Sequence, residues 1–140
     1  MKTQTFDKPV PKVAPYNDVA ELIDREVHNE MLEGINFLAR EYEVRNPREV
    51  GKFLRDNLFL FDLLKVIPRQ IAKYFGKNAK LALELLSEPD FPSSREIFVL
   101  ILTEDAAEKA RSKMNKFDQK WWLENLDKAN CKLNVSLEYV

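Results

Sequence analysis

The sequence predicts an α+β fold in which N-terminal helices pack with a three-stranded β-β-α-β unit. Three observations carry this reading. Apolar residues recur every three or four positions over residues 18–76, which is helical spacing. Residues 97–102, Ile-Phe-Val-Leu-Ile-Leu, are apolar on both faces, as a strand inside a sheet requires. Residues 81–86 and 133–139 alternate in the manner of strands with one buried face, and a helical stretch separates the last strand from the apolar run.

Taken in order, residues 1–17 hold Pro9, Pro11 and Pro15 among Lys and Thr and are predicted to be a flexible arm. Residues 18–140 are expected to form one domain, with a helical part over 18–76 and a β-β-α-β part over 80–140. Asp18 caps the first predicted helix, whose stripe runs through Val19, Leu22, Ile23, Val27, Met31, Ile35, Leu38, Ala39 and Tyr42. Asn46-Pro47-Arg48-Glu49 supplies a capping residue, a proline at the first helical position and a glutamate at the third, which starts a second helix. A third helix is predicted over 62–75, kinked or restarted at Pro68 and ended by Gly76. Gly34 and Gly51 are read as points where the first two helices approach closely.

Pro89, Pro92, Ser93 and Ser94 make a turn between the first two strands, which are expected to pair as an antiparallel hairpin. Thr103 is the expected cap of the last helix, with Glu104 and Asp105 in its first turn. Its apolar face follows Ala107, Ala110, Met114, Phe117 and Trp121, then shifts to Trp122, Leu123 and Leu126, so a break is predicted near Trp121. A crossover through this helix sets the last strand parallel to the central one.

Composition excludes several function classes. A chain of 140 residues with 45% hydrophobic and 32% charged content is long enough for a true core and lies away from the disordered range. A net charge of -1 argues against whole-molecule attraction to nucleic acid or anionic lipid. The first residues lack an apolar h-region, and no apolar segment approaches the roughly 18 residues of a membrane span, so a cytoplasmic protein without a membrane partner is expected. Cys131 is the single cysteine, which fits a reducing compartment, and is read as a small packing residue.

No motif for chemistry stands out. Three dispersed glycines, Gly34, Gly51 and Gly76, make no phosphate-cradling loop. One Cys and one His cannot assemble a structural zinc site. Asp24 and His28 lie one helical turn apart but lack a nucleophile and an oxyanion donor set. Glu26, Glu30 and Glu33 share a helix face that is read as solvated; a metal-dependent enzyme built on these carboxylates ranks last. The expectation is a non-enzymatic protein without a cofactor.

Charge is unevenly distributed. Residues 18–46 carry eight acidic against three basic side chains, net -5, whereas residues 47–78 carry seven basic against three acidic, net +4. Arg48, Lys52 and Arg55 lie on one helical face and Arg69, Lys73 and Lys77 recur at four-residue intervals. These rims either complement the acidic helix as neighbours or form a phosphate-tracking surface. The other unusual feature is Phe117-Asp118-Gln119-Lys120-Trp121-Trp122: adjacent tryptophans on an α-helix point about 100° apart, so one packs and the other points sideways. Either both rings close the core edge or one anchors a partner.

Phe53-Leu54-Arg55, the segments at 71–76, 81–84 and 98–103, and Phe117-Asp118 with Trp121-Trp122 together resemble a pattern in a group of short, uncharacterised bacterial proteins. The likeness covers most of residues 47–140, and its most specific piece is F-D-x-x-W-W before a closing strand. It implies a bacterial source and an α+β fold and carries over no catalytic residue.

The sequence thus points to a small interaction or regulatory protein, an accessory or antitoxin-like partner. Another protein is its expected partner, met through Phe117, Asp118, Trp121 and Trp122 with the proline-bearing arm. The alternative is a nucleic-acid-binding regulator using Arg48, Lys52, Arg55, Arg69, Lys73 and Lys77. An exposed final strand would also allow a homodimer.

Overall fold

A computed structural model describes residues 14–88 and 90–140. The predicted arm falls outside the described residues except at 14–17, which are helical. Helix α1 spans Ala14–Glu41, so it begins ahead of the predicted Asp18 cap. Pro15 sits in its first turn, where a missing N–H costs no intrahelical bond. The chain divides into two units, Met1–Glu33 and Gly34–Val140. In the first, the described residues are all helical; His28, Glu26, Glu30 and Glu33 are exposed there.

The second unit is mixed α+β. After the end of α1 come β1 (Glu43–Val44), α2 (Pro47–Arg55), α3 (Leu60–Phe75), β2 (Lys80–Glu88) and β3 (Phe91–Thr103). These are followed by α4 (Ala107–Phe117), a π-helical turn (Asp118–Trp122), α5 (Leu123–Ala129) and β4 (Leu133–Tyr139). The sheet order is β1-β2-β3-β4. Strand β1 runs parallel to β2, β2 antiparallel to β3, and β3 parallel to β4. The predicted three-stranded sheet therefore has four strands, because β1 is two residues long and too short to show a period.

Strand periodicity divides the sheet into unlike faces. Leu81, Leu83, Ile97, Val99, Ile101, Leu133 and Val135 share one face and are buried, as are Phe53, Leu60, Leu64, Ile67, Ile71 and Phe117 of the helices. The opposite face carries Lys80, Glu84, Leu86, Glu96, Phe98, Leu102, Asn134, Ser136 and Glu138, all partly or fully exposed. Strand β3 starts at Phe91 instead of the predicted 97, since Pro92 and the serines extend the hairpin, with an irregularity opposite Leu86 and Glu88.

Helix α3 runs unbroken through Pro68. Proline has no N–H to give the carbonyl four residues earlier, that of Leu64. The Tyr42 hydroxyl donates to this carbonyl at 2.7 Å, filling the vacancy from the end of α1. Burial drives the Tyr42 phenol well above its usual pKa, so it stays a neutral donor. A Cβ at Gly34 would overlap the Phe61 ring, so the close approach expected at that glycine joins α1 to α3. Gly51, by contrast, faces open space.

Two predicted caps differ. Asn46 precedes α2 in the left-handed region (φ 51°) and makes no side-chain capping bond. Thr103 ends β3, and its Oγ1 accepts the Asp105 N–H at 3.1 Å; α4 starts only at Ala107. Asp105 instead accepts from Lys113 at 2.7 Å, and that bond holds its carboxyl below the usual range. Cys131, predicted to pack, is exposed with φ 61°, in a reversal with Asn130 (φ 48°) that leads into β4.

Candidate functional site

The break predicted near Trp121 is the π-helical turn, in which the Leu123 N–H bonds back five residues to the Asp118 carbonyl. Residues five apart then become neighbours. The rings of Phe117 and Trp122 stack with centroids 6.5 Å apart and planes at 14°, and Tyr74 meets Phe117 edge-on at 6.2 Å. Phe117 is fully buried and Trp122 is 3% exposed. This corrects the sequence expectation that both residues belong to a contact surface: the extra residue in the turn rotates Trp122 into the core. The same rotation leaves Leu123 and Leu126, predicted on the apolar face, 58% and 43% exposed.

Trp121 and Asp118 are the two members of that motif that reach solvent in part. Trp121 lines a groove of about 510 Å³ with Phe59, Asp62, Leu63, Val66, Asn125 and Lys128, and Asn125 Nδ2 donates to its carbonyl at 2.8 Å. Partial burial raises the Asp118 carboxyl above the usual range.

A second surface, not anticipated from sequence, lies on the open sheet face. The Arg45 amide follows the β1 register, donating to the Leu83 carbonyl at 2.9 Å. Its guanidinium makes two bonds to Glu138, at 2.9 and 2.6 Å, and one to Glu84 at 3.0 Å; Glu43 lies at 3.8 Å. This clamp links β1 to β2 and β4 across the sheet, where Ala82 and Leu100 of the open face are buried. The Arg45 bonds hold the Glu138 carboxyl below its usual range, and those from Glu138 and Glu84 raise the guanidinium further.

Beyond the clamp, toward the β2–β3 hairpin end, Leu86, Phe98, Glu88, Glu96, Arg95 and Lys132 are among the residues lining a groove of about 550 Å³. Leu86 is 43% exposed, and Phe91 at the hairpin end is 62% exposed. Its lining thus mixes apolar with charged side chains. Arg95 bonds Glu49 of α2 at 3.2 Å and lies over the Phe53 ring at 6.0 Å, tying the hairpin to the helical layer. Alternation marked the strands, but nothing in it could show that Arg45 reaches partners 39 and 93 residues away.

Arg48, Lys52 and Arg55 on α2, and Arg69, Lys73 and Lys77 on and just after α3, are all exposed. None of the six takes part in an ion pair among the described residues. Among the described residues no group of three potential metal ligands forms, and no helix is long and apolar enough to cross a membrane. No family model, no curated protein and no solved structure matches this chain.

Proposed function

We propose that this protein is a non-enzymatic interaction or regulatory factor, an accessory or antitoxin-like partner, that receives another protein on its open sheet face. The observation that carries this reading is the groove at the hairpin end, which exposed Leu86 and partly exposed Phe98 line together with Glu88, Glu96 and Lys132. Solvent-facing apolar side chains set among charged ones mark protein-interaction surfaces. The contact surface then lies at the hairpin instead of at the double tryptophan, with Trp121 as a second, smaller anchor.

The test uses the full chain recovered with a tag from its own cells at low salt, as wild type, as the Leu86→Lys/Phe91→Lys double variant and as Trp121→Ala. Proteins held by the wild type and by Trp121→Ala but lost from the double variant support the hairpin surface. An identical set of bound proteins in all three removes it.

One observation favours a second reading, a nucleic-acid-binding regulator: Arg48, Lys52, Arg55, Arg69, Lys73 and Lys77 are exposed without an ion pair among the described residues. Binding through these cations would weaken by about three orders of magnitude between roughly 50 and 200 mM salt if all six meet phosphates. Absence of binding to duplex and single-stranded probes at the lower salt eliminates it.

A further inference from the structure

Strand β4 is the edge of the sheet, paired on one side only among the described residues. The Ile97 N–H donates to the Lys132 carbonyl and the Val140 N–H to the Thr103 carbonyl, which fixes the orientation of the ladder. The amides and carbonyls of residues 134, 136 and 138 face β3. Those of Leu133, Val135, Leu137 and Tyr139 face outward.

Edges of this kind are usually guarded by lysine, proline or a bulge. Residues 133–139 contain neither lysine nor proline, and β4 keeps register with β3 from Leu133 to Tyr139. Its one charge, Glu138, is drawn onto Arg45. The single local guard is Asn134, whose Oδ1 accepts the outward Val135 N–H at 2.8 Å.

We propose that β4 pairs antiparallel with β4 of a second copy about a two-fold axis at Ser136, joining two four-stranded sheets into one. The strand is complementary to itself in this register. The outward groups of Val135 meet those of Leu137 of the second copy, and Leu133 meets Tyr139, so the outward backbone groups of all four residues find partners. On the covered face, apolar side chains meet apolar ones. On the open face Ser136 meets Ser136, and Glu138 stands opposite Asn134, whose amide turns from Val135 to the carboxylate; no like charges are opposed. Shifting the axis to residue 138 would set Glu138 against its own copy. The assembly is independent of any partner at the hairpin end.

The experiment measures molar mass by light scattering at tens of micromolar chain, with three variants. The wild type is expected at twice the 16.4 kDa of the chain. Ser136→Lys opposes two ammonium groups at the axis and is expected to weaken the dimer at least about tenfold. In a Cys131→Ser background, Ser136→Cys places two thiols on directly opposed residues with Cα atoms about 4.5 Å apart, within disulfide reach, so diamide is expected to cross-link it. Asn134→Cys, whose copies lie four residues out of register and about 13 Å apart, is expected not to cross-link. A wild-type mass of one chain overturns the proposal, as does a dimer whose Ser136→Cys form cross-links no faster than Asn134→Cys. If Ser136→Lys loses its far-ultraviolet circular dichroism, the cysteine pair decides alone.

Discussion

The two faces of the sheet share the same four strands yet are closed by different means. On the covered face, Ile97, Val99, Ile101, Leu133 and Val135 are sealed in an apolar layer with the helices, and Phe117 and Trp122 extend it. On the open face, where Ala82 and Leu100 are also buried, one arginine spans the sheet and pairs with carboxylates from two strands. Apolar packing is non-directional and tolerates little loss of volume. An ion cluster is directional, responds to pH, and leaves neighbouring apolar side chains such as Leu86 available to a partner. The first face holds the molecule together, and the second is the one on which the proposed partner would dock.

Breaking the covered face should have the largest effect. Phe117→Ala removes a fully buried ring that touches Tyr74, Trp121 and Trp122, and the expected loss is about 3–5 kcal/mol by urea denaturation. Trp121→Ala, at the half-buried neighbour, should cost clearly less; equal losses would erase the distinction drawn by the π-helical turn.

Next in size is Tyr42→Phe, which leaves the Leu64 carbonyl without its donor inside the core and should cost about 1–3 kcal/mol. Pro68→Ala restores an amide to that carbonyl, so the same tyrosine change made on a Pro68→Ala background should cost less. A double-mutant cycle with zero coupling would show that the hydroxyl and the proline are unrelated.

The open face should show itself through pH. Because Arg45 holds the Glu138 carboxyl below the usual glutamate range, this group favours the folded state above its ordinary pKa. That contribution is lost as pH falls through the lowered value. Thermal melts between pH 7 and pH 3 should therefore show a steeper acid loss for the wild type than for Glu138→Gln, and parallel profiles would remove the clamp from the account.

The smallest expected change is in the hairpin groove. Leu86→Lys and Phe91→Lys should each alter stability by no more than about 0.5 kcal/mol, since both side chains already face solvent. A larger loss would make these residues part of the scaffold instead of its contact surface.

Much of the scaffold was legible in the sequence because two periods, 3.6 and 2, carry it. The stripe ending at Leu38 and Tyr42, the Asn46-Pro47 start, the stop at Gly76 and the doubly apolar 97–102 run all point to elements the structure contains. The misses have physical causes. Strand β1 is stabilised by a neighbour distant in sequence and has no period of its own. An α-helical wheel puts the two tryptophans about 100° apart, and the one residue added to the turn changes which ring is inside. Leu123 and Leu126 look like core residues by type, yet exposure is decided by the phase of the preceding turn. The hairpin groove and the Arg45 clamp arise from tertiary proximity, which composition and spacing cannot display.

At Gly34 the absent side chain sets a spacing. With only a hydrogen facing the Phe61 ring, the helix bearing it lies nearer to α3 than any alanine would permit. Eight residues on, about 12 Å along the helix axis, that nearness is what brings a phenol oxygen within reach of the carbonyl a proline has deserted. A methyl group at position 34 would act as a shim, and its cost would be felt two turns away, in a hydrogen bond it never touches.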